Sequence, residues 1–176
     1  KAKMVNFGIV YGLTGFGLAD RLNIARSEGE EFVARYLERF PAVRAFREFD
    51  DALLRLRLNE PEIGTVIVRA VGDPEAVLAV DEVLHAEASH WAVREITGLI
   101  RRTLKRMDLT SRSFFALIEP GNAFAGTLFE LALAADRTYM IDHPDEDNTI
   151  CLSVMNGGAY PMSNGLTRLQ VRFLGE

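Results

Sequence analysis

From residue 63 onward, short apolar segments alternate with longer amphipathic ones, and this alternation limits the possible folds more than any other feature of the chain. Residues 65–71 and 113–118 are short and rich in β-branched or aromatic side chains, which is typical of buried strands. Helical periodicity over residues 74–88 and 90–107 separates these two segments. Because strands joined by a helical crossover lie parallel in one sheet, the pattern predicts an α/β layer architecture.

The alternation continues toward the carboxy terminus. Residues 126–135 form an almost entirely apolar helical segment, so this helix is predicted to be buried, with Glu130 as the charge inside it. Residues 138–141 and 149–154 are predicted strands, and residues 165–174 a closing helix. The fold class expected for this part is a small unit of parallel strands with helical crossovers.

The first 58 residues are predicted to be helical. Four glycines within residues 1–23 would destabilise one regular helix, so two short helical pieces are expected there. Ser27 followed by Glu30 predicts a capping box at the start of a helix that ends before Pro41. An amphipathic stripe then continues over residues 43–58, which predicts a second long helix.

Charge is distributed unevenly along the 176 residues, whose formal net charge is −5. Residues 1–46 have a small basic excess and residues 47–176 a larger acidic one, and we expect these ranges to be two domains. A mild basic excess is too little for a dedicated nucleic-acid coat protein, since binding through counterion release needs a concentrated basic surface. Small-molecule chemistry is the broader expectation.

Two further features bear on location. One cysteine, Cys151, forms no internal disulfide, and the sequence has neither a secretory signal pattern nor an apolar run of about 18 residues. We therefore expect a cytoplasmic protein with no membrane segment. The sequence opens on Lys1 and in the middle of a helical pattern, so a fragment of a longer protein is expected.

Residues 3–12 read KMVNFGIVYG, and Lys3, Phe7 and Tyr11 share one helix face because they are spaced by four. This stretch resembles the fingers helix of family A DNA polymerases, and the similarity continues through residues 22–24 and 36–41. The resemblance implies that Lys3 contacts nucleotide phosphates and that Phe7 and Tyr11 lie near the base. The chain has no carboxylate motif for two metal ions, so polymerase chemistry is not expected from it alone.

Residues 47–176 resemble the benzoyl-CoA-dihydrodiol lyases, a ring-opening family of the crotonase superfamily. The matching stretches are residues 50–52, 62–65, 90–91, 101–104 and 111–139. The resemblance implies an acyl-CoA substrate, an enolate oxyanion held by two backbone N–H groups, and no metal or organic cofactor. The superfamily's complete fold is longer than this chain, so a partial crotonase-like unit with an exposed apolar edge and homo-oligomeric association are expected.

The superfamily's site residues transfer position by position. The first oxyanion donor falls at Val80, and the second at Thr127 beside Gly126, at a helix start whose dipole favours negative charge. Glu130 falls at the first catalytic carboxylate. A buried carboxylate is also explained by a structural ion pair, with Arg112 as one candidate partner.

The second catalytic carboxylate is replaced. Aligning the superfamily's Gly-x-x-Pro turn with Gly158 and Pro161 places Val154 where a glutamate is expected. The sequence therefore predicts a lyase fragment with weak or no activity. The alternative is a non-catalytic chimera of a polymerase fingers helix, which binds nucleotide or DNA, and a crotonase-like piece. The junction between the two would lie inside a helix, near residues 46–49.

Overall fold

The structure, a computed structural model, describes the backbone of residues 2–173 and the side chains of residues 4–173. Eight α-helices, three strands and a 3₁₀ turn occur within this range. The helices are α1 (Ala2–Val10), α2 (Gly15–Leu22), α3 (Arg26–Arg39), α4 (Pro41–Leu58), α5 (Pro74–Ala86), α6 (Trp91–Asp108), α7 (Gly126–Ala134) and α8 (Arg168–Arg172). The strands are β1 (Thr65–Val68), β2 (Ser113–Ile118) and β3 (Arg137–Met140), and the 3₁₀ turn is Val154–Gly157.

The glycine-rich opening folds as two short helices, as the sequence predicted. Gly12 follows α1 with a φ of +92°, a conformation that glycine adopts without strain, and the Thr14 hydroxyl then accepts a hydrogen bond from the Gly17 N–H at 3.2 Å. Helices α2 and α3 approach so closely that a Cβ on Gly15 would lie 2.5 Å from the Glu30 Cα. Gly15 therefore permits a close contact between the two helices.

The predicted capping box at Ser27 is wrong. Helix α3 begins at Arg26, and the Glu28 carboxylate accepts a hydrogen bond from the Ala25 N–H at 3.1 Å. Glu30 is instead paired with Arg26, 2.7 Å away on the next turn. The first turn thus uses an acid two residues earlier than the sequence motif indicated.

Helix α4 continues without a break through residue 46, as the periodicity predicted. Val43, Phe46 and Leu53 face the core, and Asp50 is buried on the same side. Arg106 of α6 donates to both Asp50 carboxylate oxygens, at 2.7 and 3.3 Å. This bidentate pair fixes α4 against α6, so the amino-terminal helices and the α/β part share the helix α4.

The three strands form one parallel sheet in the order β1-β2-β3. Thr65 lies opposite Ser113, and Phe115 opposite Arg137. Helices α5 and α6 connect β1 to β2, and α7 connects β2 to β3. The α/β class and the parallel pairing of residues 65–68 with 113–116 are thereby confirmed.

The helices cover one face of the sheet. Phe114, Ala116 and Ile118 of β2 point into the main core, together with side chains from α4, α6 and α7. On the opposite face, Ile67 has 59 % of its surface exposed and Tyr139 is also exposed. Among the described residues, no element covers this second face.

The predicted strand over residues 149–154 is absent. Cys151 makes one isolated parallel bridge to Ala125, and the 3₁₀ turn begins at Val154. The Asn148 amide donates to the carbonyls of Ile118 and Ile141 at 2.8 and 3.0 Å. This segment therefore crosses the ends of β2 and β3 and does not add a fourth strand.

The closing helix is shorter than the predicted 165–174. Thr167 caps it, with its hydroxyl accepting from the Gln170 N–H at 3.0 Å, so the helix begins at Arg168. The predicted end at residue 174 lies outside the described residues. Between residues 2 and 173, every helix is too short or too polar to span a bilayer.

Candidate active site at the amino end of helix α7

Gly126 begins α7 in a conformation that glycine alone tolerates well. Its φ is +42°, and a Cβ at this position would overlap the carboxylate of Asp81. The Gly126 N–H donates to the Cys151 carbonyl at 2.9 Å, which fixes the entry of the chain into the helix. The first turn of α7 is consequently in direct contact with α5 and with the segment before the 3₁₀ turn.

Asp81 reaches this helix start from α5 and is 1 % exposed. Its carboxylate accepts hydrogen bonds from the Thr127 N–H at 2.8 Å, from the Ser153 hydroxyl at 2.5 Å and from the Thr127 hydroxyl. A negative group here also interacts favourably with the helix dipole. The amide predicted to stabilise an oxyanion is therefore already bonded to a carboxylate of the same chain.

Tyr160 completes this group of side chains. Its hydroxyl lies 2.9 Å from the Thr127 hydroxyl oxygen. Since the Thr127 proton is donated to Asp81, Tyr160 is the donor in this second bond. Burial raises the pKa of Tyr160 well above its usual range, so the phenol stays neutral.

Glu130 lies one helical turn further along α7 and is 2 % exposed. Its two oxygens accept from the Asn156 amide at 2.8 Å and from the Arg168 guanidinium at 2.9 Å. Arg168 also pairs with Asp108 at 2.6 Å. Burial raises the pKa of Glu130, and the hydrogen bonds from Asn156 and Arg168 act in the opposite direction.

The ion-pair partner of Glu130 is therefore Arg168, where the sequence had suggested Arg112. Arg112 donates instead to the backbone carbonyls of Leu56, Glu60 and Ser111. These bonds tie the end of α4 to the start of β2.

The structure brings together three of the predicted site residues, Gly126, Thr127 and Glu130, on consecutive turns of α7. Val80 lies in the middle of α5, where a backbone N–H bonds within the helix. Val154 is exposed at the start of the 3₁₀ turn, beside Ser153.

Sequence reasoning missed Asp81, Asn156, Tyr160 and Arg168 as members of this site. A signal existed for Asp81, because it lies on the same helical stripe as Val77 and Leu84, which pack into the core. An acid on an apolar stripe indicates a buried, hydrogen-bonded carboxylate.

The polymerase-like face lies on α1. The Lys3 side chain lies outside the described residues, whereas Phe7 and Tyr11 are partly exposed and stack with ring centroids 4.7 Å apart. Tyr11 donates to Glu95 of α6 at 3.0 Å, and the Arg102 guanidinium lies 4.6 Å from the centre of its ring. Tyr11 thus joins α1 to α6.

Across the described part of the chain, no three histidines, cysteines or acids are grouped as metal ligands.

Comparison with known proteins gives two separate similarities. A model of DNA polymerase family A matches residues 1–57. The benzoyl-CoA-dihydrodiol lyase of Aromatoleum evansii is 52 % identical over 130 residues, which are 74 % of this chain and 23 % of that enzyme. The DNA polymerase I of Rhizobium leguminosarum is 40 % identical over 75 residues, and that of Bacillus caldotenax 56 % over 48 residues. The match to the Rhizobium enzyme covers 43 % of this chain and 7 % of that polymerase. The match to the Bacillus enzyme covers 27 % of this chain and 6 % of that polymerase.

Both resemblances seen in the sequence are thereby confirmed. The chain spans about a quarter of the length of the lyase and less than a tenth of either polymerase. The polymerase match extends past residue 46 to residue 57, close to the end of α4. The two matches together exceed the length of the chain, so they overlap.

Proposed function

We propose that this chain is a fragment of an acyl-CoA thioester lyase that is weakly active or silent by itself. The identity to the benzoyl-CoA-dihydrodiol lyase over 130 residues supports a CoA thioester as the class of substrate. The observation on which the loss of activity rests is the hydrogen bond from the Thr127 N–H to Asp81. An oxyanion hole needs a donor that points at the substrate oxygen, and this donor has an internal acceptor.

The proton-transfer groups support the same proposal. Glu130 is held by Arg168 and Asn156, and the position proposed for the second carboxylate is occupied by Val154. General acid-base catalysis needs a group that exchanges protons with the substrate, and a buried carboxylate paired on both oxygens does so poorly. We infer that any remaining chemistry is centred on Gly126, Thr127 and Glu130. Val80, at the expected position of the first donor, lies inside α5, where its backbone N–H bonds within the helix.

The open sheet face supports self-association. The lyase is about four times longer than this match, so most of that enzyme lies outside the aligned part. We propose two units, residues 1–46 and 47–176, in a cytoplasmic homo-oligomer that uses no cofactor. The apolar face around Ile67 and Tyr139 is the surface on which copies associate.

The second candidate is a non-catalytic chimera with a nucleotide-binding helix. It is favoured by the polymerase match over residues 1–57 and by the partly exposed Phe7. The engagement of Tyr11 by Glu95 and Arg102 argues against it, because this aromatic group already has protein contacts.

Titration with benzoyl-CoA, followed by a turnover assay on its dihydrodiol, tests the proposal. Saturable benzoyl-CoA binding with turnover near the detection limit is expected. Val154→Glu supplies the second carboxylate and should raise turnover, whereas Glu130→Gln should remove what remains. Val83→Glu, an equal charge change at an exposed position of α5, is the control. Absence of benzoyl-CoA binding would contradict the lyase assignment, and so would measurable turnover that Glu130→Gln leaves unchanged.

A further inference from the structure

A cleft of about 430 Å³ lies between the end of α1, α4 and α6, away from the start of α7. Its polar lining consists of Tyr11, Arg47, Asp50, Asp51, Arg102 and Arg106. Tyr11 comes from the polymerase-like segment and Arg102 from the lyase-like part, so the cleft exists only because the two parts pack together.

The charges that line the cleft are not balanced. Arg106 forms a bidentate ion pair with Asp50, whereas Nη2 of Arg102 lies further away, 3.8 Å from Oδ2 of Asp50. Among the described residues, Arg47 has no carboxylate within ion-pair distance. The charges of Asp50 and Arg106 neutralise each other. The guanidiniums of Arg47 and Arg102 then remain, with the exposed Asp51 carboxylate as the only other charge in the described lining.

Two buried donors in this cleft are unsatisfied. Nη1 of Arg47 and Nε of Arg102 are shielded from solvent and have no hydrogen-bond acceptor within the described chain. A buried donor without an acceptor is costly, and each such group in a folded protein calls for an explanation. An anion in the cleft would offer oxygen acceptors to the guanidiniums of Arg47 and Arg102, which both line it.

Arg102 is partly oriented before any ligand arrives. Its guanidinium lies 4.6 Å from the centre of the Tyr11 ring, and the Tyr11 hydroxyl is held by Glu95 at 3.0 Å. Stacking on an aromatic ring restricts the plane of a guanidinium and favours bidentate contacts with oxyanions.

We propose that this cleft binds the phosphoryl group of a small phosphorylated molecule, with Arg47 and Arg102 as its ligands. Phosphate fits because its several oxygens and double charge match two guanidinium forks. Asp51 at the same cleft disfavours a long polyanion such as nucleic acid, and it offers an acceptor for a hydroxyl or amine of the ligand. The site is independent of the lyase chemistry proposed above.

Calorimetric titration of the whole chain with inorganic pyrophosphate tests this site. We expect saturable binding, and in Arg47→Met at least a tenfold loss of affinity. Arg47 has no ion pair to lose, so this variant should keep the wild-type melting temperature. Arg57→Met removes an exposed arginine of the same helix that does not line the cleft, and it should bind as the wild type does.

Two further measurements keep the proposal open to refutation. Arg102→Met should also weaken pyrophosphate binding, and circular dichroism would show whether α1 and α6 stay folded in it. Pyrophosphate binding that Arg47→Met leaves unchanged would overturn the assignment, as would no saturable binding up to about 10 mM. Tighter binding of a single-stranded oligonucleotide than of pyrophosphate would also overturn it.

Discussion

At the scale of the residue, Gly126 determines the geometry of the candidate site. It allows the chain to enter α7 at a positive φ, and the lack of a side chain leaves room for the Asp81 carboxylate. The Thr127 N–H and hydroxyl then reach Asp81, and Tyr160 reaches Thr127. The absence of a Cβ at Gly126 thus lets the buried side chains of Asp81, Thr127 and Tyr160 form hydrogen bonds with one another.

We predict that Gly126→Ala lowers the free energy of unfolding by about 2–4 kcal/mol, because it adds backbone strain and displaces a buried carboxylate. Urea denaturation monitored by circular dichroism measures this loss. Gly64→Ala is the matched control, since nothing lies within 4 Å of its added Cβ, and it should change stability by less than about 0.5 kcal/mol. Equal stabilities of the two variants would show that Asp81 moves aside freely.

The sequence indicated only part of this site. Gly126, Thr127 and Glu130 are close in the chain, so a local motif was enough to find them. Their partners are distant: Asp81 bonds to Thr127 across 46 residues, Tyr160 across 33, and Arg168 reaches Glu130 across 38. Which of several arginines neutralises a buried acid is decided by tertiary packing, and no local pattern contains that information.

At the scale of the element, α8 is held by its first residue. A helix of five residues is not stable alone in water, so its position depends on tertiary contacts. Arg168 connects Asp108 at the end of α6 to Glu130 in α7, and it also donates to the Tyr160 carbonyl at 3.0 Å. Three elements of the α/β part therefore meet at one guanidinium.

Arg168→Met should destabilise the fold by about 3–5 kcal/mol, because two buried carboxylates lose their counter-charge together. Chemical denaturation measures the loss. Arg172→Met, in the same helix, removes an exposed side chain that bonds only to carbonyls, and it should cost less than about 1 kcal/mol. The double variant Arg168→Met with Glu130→Leu should recover part of the loss. Similar stabilities of the two single variants would refute a structural role for the Arg168 network.

Helices and strands could be predicted from the sequence where the spacing of apolar residues reflects which side chains are buried. Strand β2 has the predicted bounds, and helix α4 has the predicted end at Leu58 and begins two residues before the predicted stripe. Each places alternate or periodic apolar residues into the core. Residues 149–154 also have strand propensity but form no strand. The Asn122 side-chain amide donates to the Thr149 carbonyl, and the Asn148 amide donates to the carbonyls of Ile118 and Ile141 at the ends of β2 and β3. Strand propensity reports a local preference, whereas pairing needs a neighbouring strand edge in the right place.

At the scale of the whole molecule, the described part of the chain covers the sheet on one side only. Phe114, Ala116 and Ile118 pack under the helices, while Ile67 and Tyr139 are exposed on the opposite face. Parallel sheets in α/β proteins are normally covered on both faces, because their strands are apolar on both sides. The open face is therefore the surface expected to associate.

We predict that the chain self-associates through this face and that Ile67→Glu shifts it to the monomer. A charge at the centre of an apolar interface must be desolvated on association, which costs far more than the lost contact area. Sedimentation velocity over a range of protein concentrations measures the shift. Val83→Glu is the matched control, since Val83 is 60 % exposed, compared with 59 % for Ile67, but lies on a helix of the covered side. A wild-type monomer at all concentrations, or equal dissociation in both variants, would show that the sheet face is not the interface.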